Sequence, residues 1–324
     1  MQFLVKAFLK YIIGIIAVIF IIAFSIQYFL DKGLRNLKNT QVNDWKNILD
    51  GKINSDIIIN GSSRGFVGYN SEIIGEELKS SCFNLSFNAG GYNLQQDKFD
   101  IYIKKNKTPK IIIQNIDLAF FIKNNELPDE GQFYPFLYNK DLEYLFSKFD
   151  TKFNWFKIIP LIKYNQNFNL LKAGVMANFS SKVKKNAKTI NGFCPQDRAF
   201  VVDRLNLKRF ENKVVKSKSK EEIKVLYQMI EFYRSRLKSN SKIILVWMPE
   251  HKLRLTGSYN LQRKYIVNEL NLLQKKYKNI SFIDMAYDNI SNSDENYYDT
   301  FHLTERGANE FSKKISVKIN NFLN

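Results

Sequence analysis

Asp299 and His302 stand three residues apart in the run Asp299-Thr300-Phe301-His302-Leu303-Thr304. At that spacing a carboxylate and an imidazole lie on one side of a single turn. The carboxylate can hold the imidazole in one tautomer and leave its other nitrogen facing a nucleophile. The chain has only two histidines, which gives this placement weight. A nucleophile is visible far upstream. Ile57-Ile58-Ile59-Asn60 reads as a buried strand, and Gly61-Ser62-Ser63-Arg64-Gly65 follows it as a tight turn. A serine hydroxyl attacks well only when a base takes its proton. Ser63 is therefore the expected nucleophile, His302 its base and Asp299 the orienting carboxylate, with Ser62 as the alternative reactive serine.

These residues need a scaffold that brings distant loops together, and the apolar pattern supplies one. Short, nearly continuous apolar runs occur at Asp56 to Asn60, Phe83 to Phe87, Lys110 to Asn115, Lys242 to Trp247 and Ile280 to Met285. Runs of this kind suit strands of a parallel sheet buried on both faces. Helical spacing recurs between them, over Glu72 to Ser80, Leu94 to Lys105, Ile223 to Leu237 and Leu261 to Tyr277. A last helix, Ala308 to Ile319, has Thr304 as its expected N-cap. The alternation predicts a doubly wound α/β domain, in which ligands bind beyond the strand C-termini.

That rule gathers five loops into one site. They carry Ser62 and Ser63; Asn88, Gly90 and Gly91; Asn115 and Asp117; Pro249, Glu250 and His251; and Asp299 with His302. Backbone N–H groups at Ser63 and at the Gly90-Gly91 turn are candidates for holding a developing oxyanion. Arg64 either binds an anionic substrate group or faces solvent. His251 either touches substrate or is an incidental loop histidine.

Residues 118 to 220 interrupt the rhythm. They are rich in aromatics (Phe133, Tyr134, Phe136, Phe149, Phe153, Trp155) and show no clear strand. A mostly helical insertion is expected there, able to cover the C-terminal edge of the sheet. Its tail, Glu211 to Lys220, is rich in lysine and serine and reads as a loop.

The chain of 324 residues, 45% of them hydrophobic, is long enough for one sizeable core. Tyr11 to Leu30 contains no charged side chain, and about twenty such residues span a hydrocarbon core as a helix. Residues 1–10 then form a cytoplasmic tail, 11–30 a transmembrane anchor, 31–52 a juxtamembrane helix or linker, and 53–324 one large domain outside the cytoplasmic membrane. Lys6 and Lys10 suit this orientation, whereas Lys32, Arg35 and Lys38 on the far side weaken the asymmetry. A signal peptide cleaved near Ala23-Phe24-Ser25 is the alternative, but the apolar run continues through Leu30.

Formal net charge is +18, with Lys and Arg spread along the chain. This is either a generally basic surface or an attraction to an anionic one. No zinc-finger spacing, basic heptad region or aromatic RNA-binding signature accompanies it, so nucleic acid is not an expected partner. Two cysteines, Cys82 and Cys194, make no disulfide framework. The Gly61-to-Gly65 turn lacks the Gly-Lys-Ser/Thr ending of a phosphate loop. Two distant histidines without a Cys/His cluster make no zinc site. No metal or cofactor is expected.

The order and types of these blocks resemble the SGNH or GDSL-like hydrolases, whose members have a flavodoxin-like α/β fold. That family carries a serine after its first strand, a glycine after the second, an asparagine after the third and Asp-x-x-His before its last helix. The resemblance puts Ser63 at the serine, Gly90 at the glycine, Asn115 at the asparagine, and Asp299 and His302 in the last block. It implies that Gly90 and Asn115 serve the oxyanion hole. Two departures are plain: Ser62 stands where the family has aspartate, and Gln114-Asn115-Ile116-Asp117 replaces Gly-x-Asn-Asp. The resemblance covers about 55 to 115 and 242 to 320.

The single anchor followed by such a domain is similar in architecture to envelope proteins of alginate O-acetylation and teichoic-acid D-alanylation. That implies a membrane-anchored serine esterase or O-acyltransferase acting on an acylated cell-envelope glycan, beside a membrane-bound acyltransferase. The reading from another class is a non-catalytic binding or scaffolding module in envelope polysaccharide assembly.

Overall fold

The computed structural model of the chain describes residues 2–165, 167–180, 188–204, 207 and 216–323. The helices and strands run α1 (Gln2–Asn36), α2 (Gln41–Leu49), β1 (Ile57–Asn60), α3 (Ser63–Gly68), α4 (Ser71–Glu77), β2 (Cys82–Asn84), α5 (Tyr92–Ile103) and β3 (Ile111–Asn115). There follow α6 (Lys140–Phe149), α7 (Lys152–Ile158), α8 (Phe168–Met176), α9 (Lys216–Arg236), β4 (Lys242–Trp247), α10 (Gly257–Lys276), β5 (Ile280–Asp284) and α11 (Glu305–Leu323). The chain divides into two compact units, Met1–Lys46 with Asp129–Val183, and Asn47–Pro128 with Lys184–Asn324.

The second unit holds the sheet. Five strands, all parallel, lie in the order β2-β1-β3-β4-β5. Ile57 sits opposite Cys82 on one side and Ile111 on the other. The strands are rich in β-branched residues, which suit a pleated, buried surface. The fold is therefore α/β and doubly wound, with the strand order of a flavodoxin-like sheet. Side-chain parity sorts the two faces. Ile57, Ile59, Ile113, Ile244 and Val246 point to one face, where they form a core with Ile74 of α4 and Phe311, Ile315 and Ile319 of α11. Asn60 and Gln114 point to the other, where α5 and α9 meet: the Tyr233 hydroxyl donates to Gln114 Oε1 and accepts from Asn60 Nδ2 at 2.8 Å. Gln114 Nε2 donates to Gln95 Oε1 of α5 at 2.8 Å.

The second strand is shorter than the apolar run Phe83 to Phe87. Asn84 explains the difference. Its Oδ1 accepts the Ser86 N–H at 3.0 Å, and its Nδ2 donates to the Gly65 and Tyr69 carbonyls at 2.9 and 3.1 Å. A side chain that binds its own backbone two residues on turns the chain out of the ladder. The same side chain ties α3 to the strand ends.

In the first unit, α1 has 35 residues and is long and apolar enough to cross a membrane; a signal sequence near an N-terminus has the same properties. The expected apolar run thus lies inside a longer helix that ends at Asn36, and α2 follows where a helix or linker was expected. The chain of this unit after Asp129 is helical, in α6, α7 and α8 and shorter turns, and holds an aromatic cluster in which Phe146 stacks on Phe153 at 4.6 Å and meets Phe133 edge-on. Trp45 joins it through Phe133 and donates its indole N–H to Gln132 Oε1 at 2.7 Å. Of the loop expected over Glu211 to Lys220, residues 211–215 lie outside the described residues, and 216–220 form the first turn of α9 instead. A run with lysines at every second position is polar on all sides, so its apolar spacing hid the start of a helix whose pattern begins only at Ile223.

Candidate active site

Asp299, Phe301 and His302 are fixed by their own turn. Tyr297 and Leu303 form an isolated antiparallel bridge, and the Tyr298 N–H donates to the His302 carbonyl at 3.1 Å. This closes a small loop with Asp299 at its tip. Asp299 Oδ1 accepts the N–H groups of Phe301 and His302 at 2.6 and 2.8 Å, and Asp299 Oδ2 lies 2.8 Å from His302 Nδ1. Burial opposes ionisation of Asp299, yet the bond to His302 and the two backbone donors hold its carboxyl below the ordinary value of 3.8. With the carboxylate at Nδ1, the proton sits on that nitrogen and Nε2 is left as an acceptor.

Ser63 opens α3 immediately after β1. Its Oγ lies 2.8 Å from His302 Nε2, so the hydroxyl donates to the free imidazole nitrogen. The structure therefore joins Ser63, His302 and Asp299 in one line of hydrogen bonds. The imidazole and carboxylate side chains keep 18% and 22% of their exposure, enough for a substrate to reach them. The Tyr298 ring stacks on His302, centroids 5.2 Å apart and 4° from parallel, and fixes the plane of the imidazole.

Ser62 points the other way. It is buried, and its hydroxyl donates to Asp117 Oδ2 at 3.3 Å. Asp117 also accepts Asn115 Nδ2 at 2.8 Å and the Phe120 N–H at 2.9 Å, so it links the loops after β1 and β3. Those loops diverge where the strand order reverses between β1 and β3, the switch point at which open parallel sheets form their crevice.

The expected oxyanion residues are placed differently from one another. Asn115 is wholly buried; its amide donates to Asp117 and its Oδ1 accepts the Tyr69 hydroxyl at 3.2 Å. It lies beneath Gly61, where an added Cβ would come within 2.9 Å of Asn115 Cβ. Gly90 donates only a long bond, 3.4 Å, to the Phe87 carbonyl. Gly91 N–H is taken by Asn124 Oδ1 at 2.6 Å, and a Cβ there would collide with the Ile122 carbonyl at 1.8 Å. Among the described residues, no hydrogen bond joins Asn115 or Gly90 to Ser63 or His302.

Arg64, expected against substrate or facing solvent, and His251, expected against substrate or as an incidental loop histidine, are both in the interior. The Arg64 guanidinium donates to Glu250 Oε1 and, at 2.7 Å, to the Pro249 carbonyl. Glu250 Oε1 also accepts Trp247 Nε1 at 2.9 Å and the Tyr259 hydroxyl at 2.6 Å, while Arg254 Nε lies 3.0 Å from Glu250 Oε2. Burial works against both charges. Even so, the Arg64 pKa is raised by Glu250, and Arg64 and Arg254 keep the Glu250 carboxyl below 4.5. His251 is stacked on Phe200 and meets Tyr297 edge-on, with Nε2 3.2 Å from Asp294 Oδ1. Burial first of all lowers its pKa, against the pull of Asp294.

Several residues that build this site went unread in the sequence: Asn84, Tyr69, Tyr298 and Arg254. Asn60, Asn84, Gln114 and Asn115 share a visible signal. Each is a polar residue ending an apolar strand, a place where a buried amide must bind loop backbone. Cys82 and Cys194 are both buried.

No family model matches the chain, and no curated protein matches it. Among solved structures it is similar to a family two carbohydrate esterase from Clostridium thermocellum in complex with cellohexaose, at 10% identity and a TM-score of 0.42, over 82% of this chain and 64% of that one. An acetyl xylan esterase from the rumen bacterium Butyrivibrio proteoclasticus aligns at 11% identity and a TM-score of 0.39, with the same coverages. A lipase from goat rumen metagenome aligns at 12% identity and a TM-score of 0.37, over 82% of this chain and 96% of that one. The chain thus spans somewhat under two thirds of the two esterase chains.

Proposed function

We propose that this protein is a membrane-anchored serine esterase or O-acyltransferase. The reading rests on one observation, the Ser63 hydroxyl 2.8 Å from His302 Nε2 with Asp299 on the opposite ring nitrogen. Ser63 Oγ attacks the carbonyl carbon of an ester while its proton passes to His302 Nε2. The carbonyl π electrons move onto oxygen. The Ser63 N–H, in the first turn of α3 where a helix leaves its N–H groups without internal partners, faces that oxyanion, and the weakly held Gly90 N–H is the second donor. Asn115 acts behind them, positioning the Gly61 turn through Asp117. When the intermediate collapses, the leaving alcohol takes the proton from Nε2 and an acyl-serine remains. Water or a sugar hydroxyl then gives its proton to His302 Nε2 and attacks the acyl carbon. On collapse Ser63 Oγ leaves and takes that proton back, and the acid or new ester is released. Asp299 stays ionised throughout and stabilises the imidazolium.

In this reading residues 11–30 span the cytoplasmic membrane once, with residues 1–10 inside and the domain from 53 to 324 outside. The ester is carried by an envelope glycan, and a membrane-bound acyltransferase is the partner that supplies or receives the acyl group. The basic chain, formally +18, favours an anionic polymer or surface. The competing reading is a non-catalytic binding module in envelope polysaccharide assembly. In its favour stand Ser62 in place of aspartate and the Gln114-Asn115-Ile116-Asp117 block.

Covalent labelling separates the two. Full-length protein in detergent is treated with a fluorophosphonate, and intact mass is read for wild type, Ser62→Ala, Ser63→Ala and His302→Ala. A single adduct that persists in Ser62→Ala, disappears in Ser63→Ala and slows in His302→Ala is expected. Absence of any adduct on folded wild type overturns the enzyme in favour of the binding module.

A further inference from the structure

The first unit packs on only one end of α1. From Ile13 to Ile26 the large apolar side chains of this helix are exposed, apart from the half-buried Phe24, whereas Gln27, Leu30, Asp31, Gly33 and Leu34 are buried. The packing begins within the last turn of the apolar run. Gln27 Oε1 accepts the Leu161 N–H at 2.7 Å, and Asn178 Nδ2 donates to the Phe29 carbonyl at 3.0 Å. One turn further on, Asp31 accepts Lys163 Nζ at 2.8 Å and the Tyr164 hydroxyl. Gly33 and Gly174 let α1 and α8 approach so closely that a Cβ on Gly33 would meet the Gly174 carbonyl at 1.9 Å.

These contacts set a level for each segment along α1. Gly174 lies against Gly33 and Asn178 against Phe29, so α8 runs antiparallel to α1 and its C-terminal end is nearest the apolar run. Residues 176–179, and residues 158–161 at and just after the end of α7, therefore sit at the level of positions 27–29. At that level the unit exposes large apolar side chains: Ile158 at 60%, Met176 at 54% and Phe179 at 79%, the last against the Phe29 ring at 6.4 Å. Trp155 lies one turn before Ile158 on the same face of α7 and is 60% exposed. Above this ring the unit is closed by the buried Asp31–Lys163 pair, whose lysine burial pushes down to about 8 against the pull of Asp31.

We propose that Trp155, Ile158, Met176 and Phe179 form a collar that inserts into the lipid leaflet where α1 leaves the bilayer. The proposal rests on the reading of α1 as a membrane span. Continuity names the occupant: the exposed collar adjoins the end of an uncharged apolar run, the depth at which hydrocarbon gives way to headgroups. A tryptophan on its edge fits that boundary, where amphipathic aromatic rings concentrate. Close approach of α1 and α8 through small residues is the way helices pack where lipid is the alternative neighbour.

Brominated lipids test it. The full chain is reconstituted in phosphatidylcholine–phosphatidylglycerol vesicles whose acyl chains carry bromine either near the headgroup or near the terminal methyl. Trp45 and Trp247 are buried, 1% and 0% exposed, so Trp155 is the only tryptophan within reach of lipid. Stronger quenching by the shallow bromines is expected, with a severalfold loss of that quenching in Trp155→Phe. Equal quenching of wild type and Trp155→Phe overturns the collar. An Ile19→Cys variant carrying an environment-sensitive dye reports the span separately. Dye in hydrocarbon with Trp155 in water defeats the collar alone, whereas dye in water defeats the span on which it rests. Cross-linking of Phe179→Cys to a second chain, without lipid quenching, assigns the patch to a protein partner and overturns the proposal as well.

Discussion

Ser63 and Arg64 are adjacent, yet they serve opposite kinds of environment. Ser63 reaches a partly open imidazole, itself held by a carboxylate three residues away. Arg64 turns inward to Glu250, where neither charge touches water: their side chains are 1% and 0% exposed. The first cluster joins Ser63 to His302 across 239 positions of sequence, stays partly solvent-accessible, and in the proposed reading is made of groups that exchange protons. The second is long-range and sealed, joining α3 to the loop after β4 across 186 positions of sequence. In the proposed reading, the difference teaches how one short helix is both reactive and rigid. A nucleophile needs a fixed position but a soft proton, and on that reading the buried ion pair supplies the position and stays out of the proton transfer. Arg254, which lies over the Phe301 ring, extends that anchoring to the loop that carries His302.

The largest effects belong to the open cluster. Ser63→Ala and His302→Ala should each lower turnover of an ester substrate by on the order of 10⁶-fold, and Asp299→Asn by about 10⁴-fold, because it leaves the imidazole in the wrong tautomer. Stability should change little for Ser63→Ala. Thermal unfolding beside the rate assay checks both halves. An Asp299→Asn protein with full turnover would mean that the Tyr298 stack and the turn orient His302 without the carboxylate.

The sealed cluster should respond in the opposite sense, in stability rather than chemistry. Glu250→Gln removes the buried carboxylate that Arg64 and Arg254 share, and removing one member of a buried pair costs about 3–5 kcal/mol. Denaturant unfolding is the measurement. A Glu250→Gln protein as stable as wild type would remove the distinction between the two clusters.

The pH dependence sharpens the same contrast. The folded Glu250 carboxyl lies below its ordinary value of 4.5. Its contribution is therefore complete above that value and is lost as the pH falls through the folded pKa. Asp299, ordinarily 3.8 and lowered by His302, behaves alike on a smaller scale because it is partly exposed. His251, held below 6.5 by burial, adds an acid-side loss that is common to both proteins and cancels in a difference. The gap in stability between wild type and Glu250→Gln should be constant from neutral pH down to about 4.5 and narrow below it. A gap that widens on acidification contradicts an ionised Glu250.

The open cluster was legible because each of its two halves is placed locally. Asp299 and His302 are placed by one turn, and Ser63 by the end of an apolar strand, and the rule that parallel strands gather their C-terminal loops joins the halves across 239 positions. The strands were legible for the same reason, four as Ile-rich apolar runs and β2 as the start of the run Phe83 to Phe87. The sealed cluster was not. Arg64 was read as facing substrate or solvent because nothing within a few residues neutralises it. The signal was weaker but present: an arginine in the apolar run Arg64-Gly65-Phe66-Val67 demands a buried carboxylate, and Glu250 ends the loop of a neighbouring apolar strand. The pairing of Asp31 with Lys163 is equally remote, 132 positions apart, and α1 gives no periodic hint of it. Contacts of that kind are fixed by packing between elements, which periodicity within an element does not encode.

The smallest effect tests where the two regions meet. Tyr298 belongs to the His302 loop but is held by its neighbours, its ring parallel to the imidazole and the Arg198 guanidinium 5.1 Å from its centroid. An aromatic contact of this kind is worth about 0.5–1.5 kcal/mol. Removing it with Tyr298→Leu should slow fluorophosphonate labelling about 2- to 10-fold while leaving the adduct on Ser63. Tyr298→Phe, which keeps the ring, should label at the wild-type rate. The turn made by Asp299 and the Tyr297–Leu303 bridge survives both changes, so the imidazole loses only its sideways support. Complete loss of labelling in Tyr298→Leu would mean that this turn cannot hold His302 unaided, and that the reactive cluster depends on packing as fully as the sealed one does.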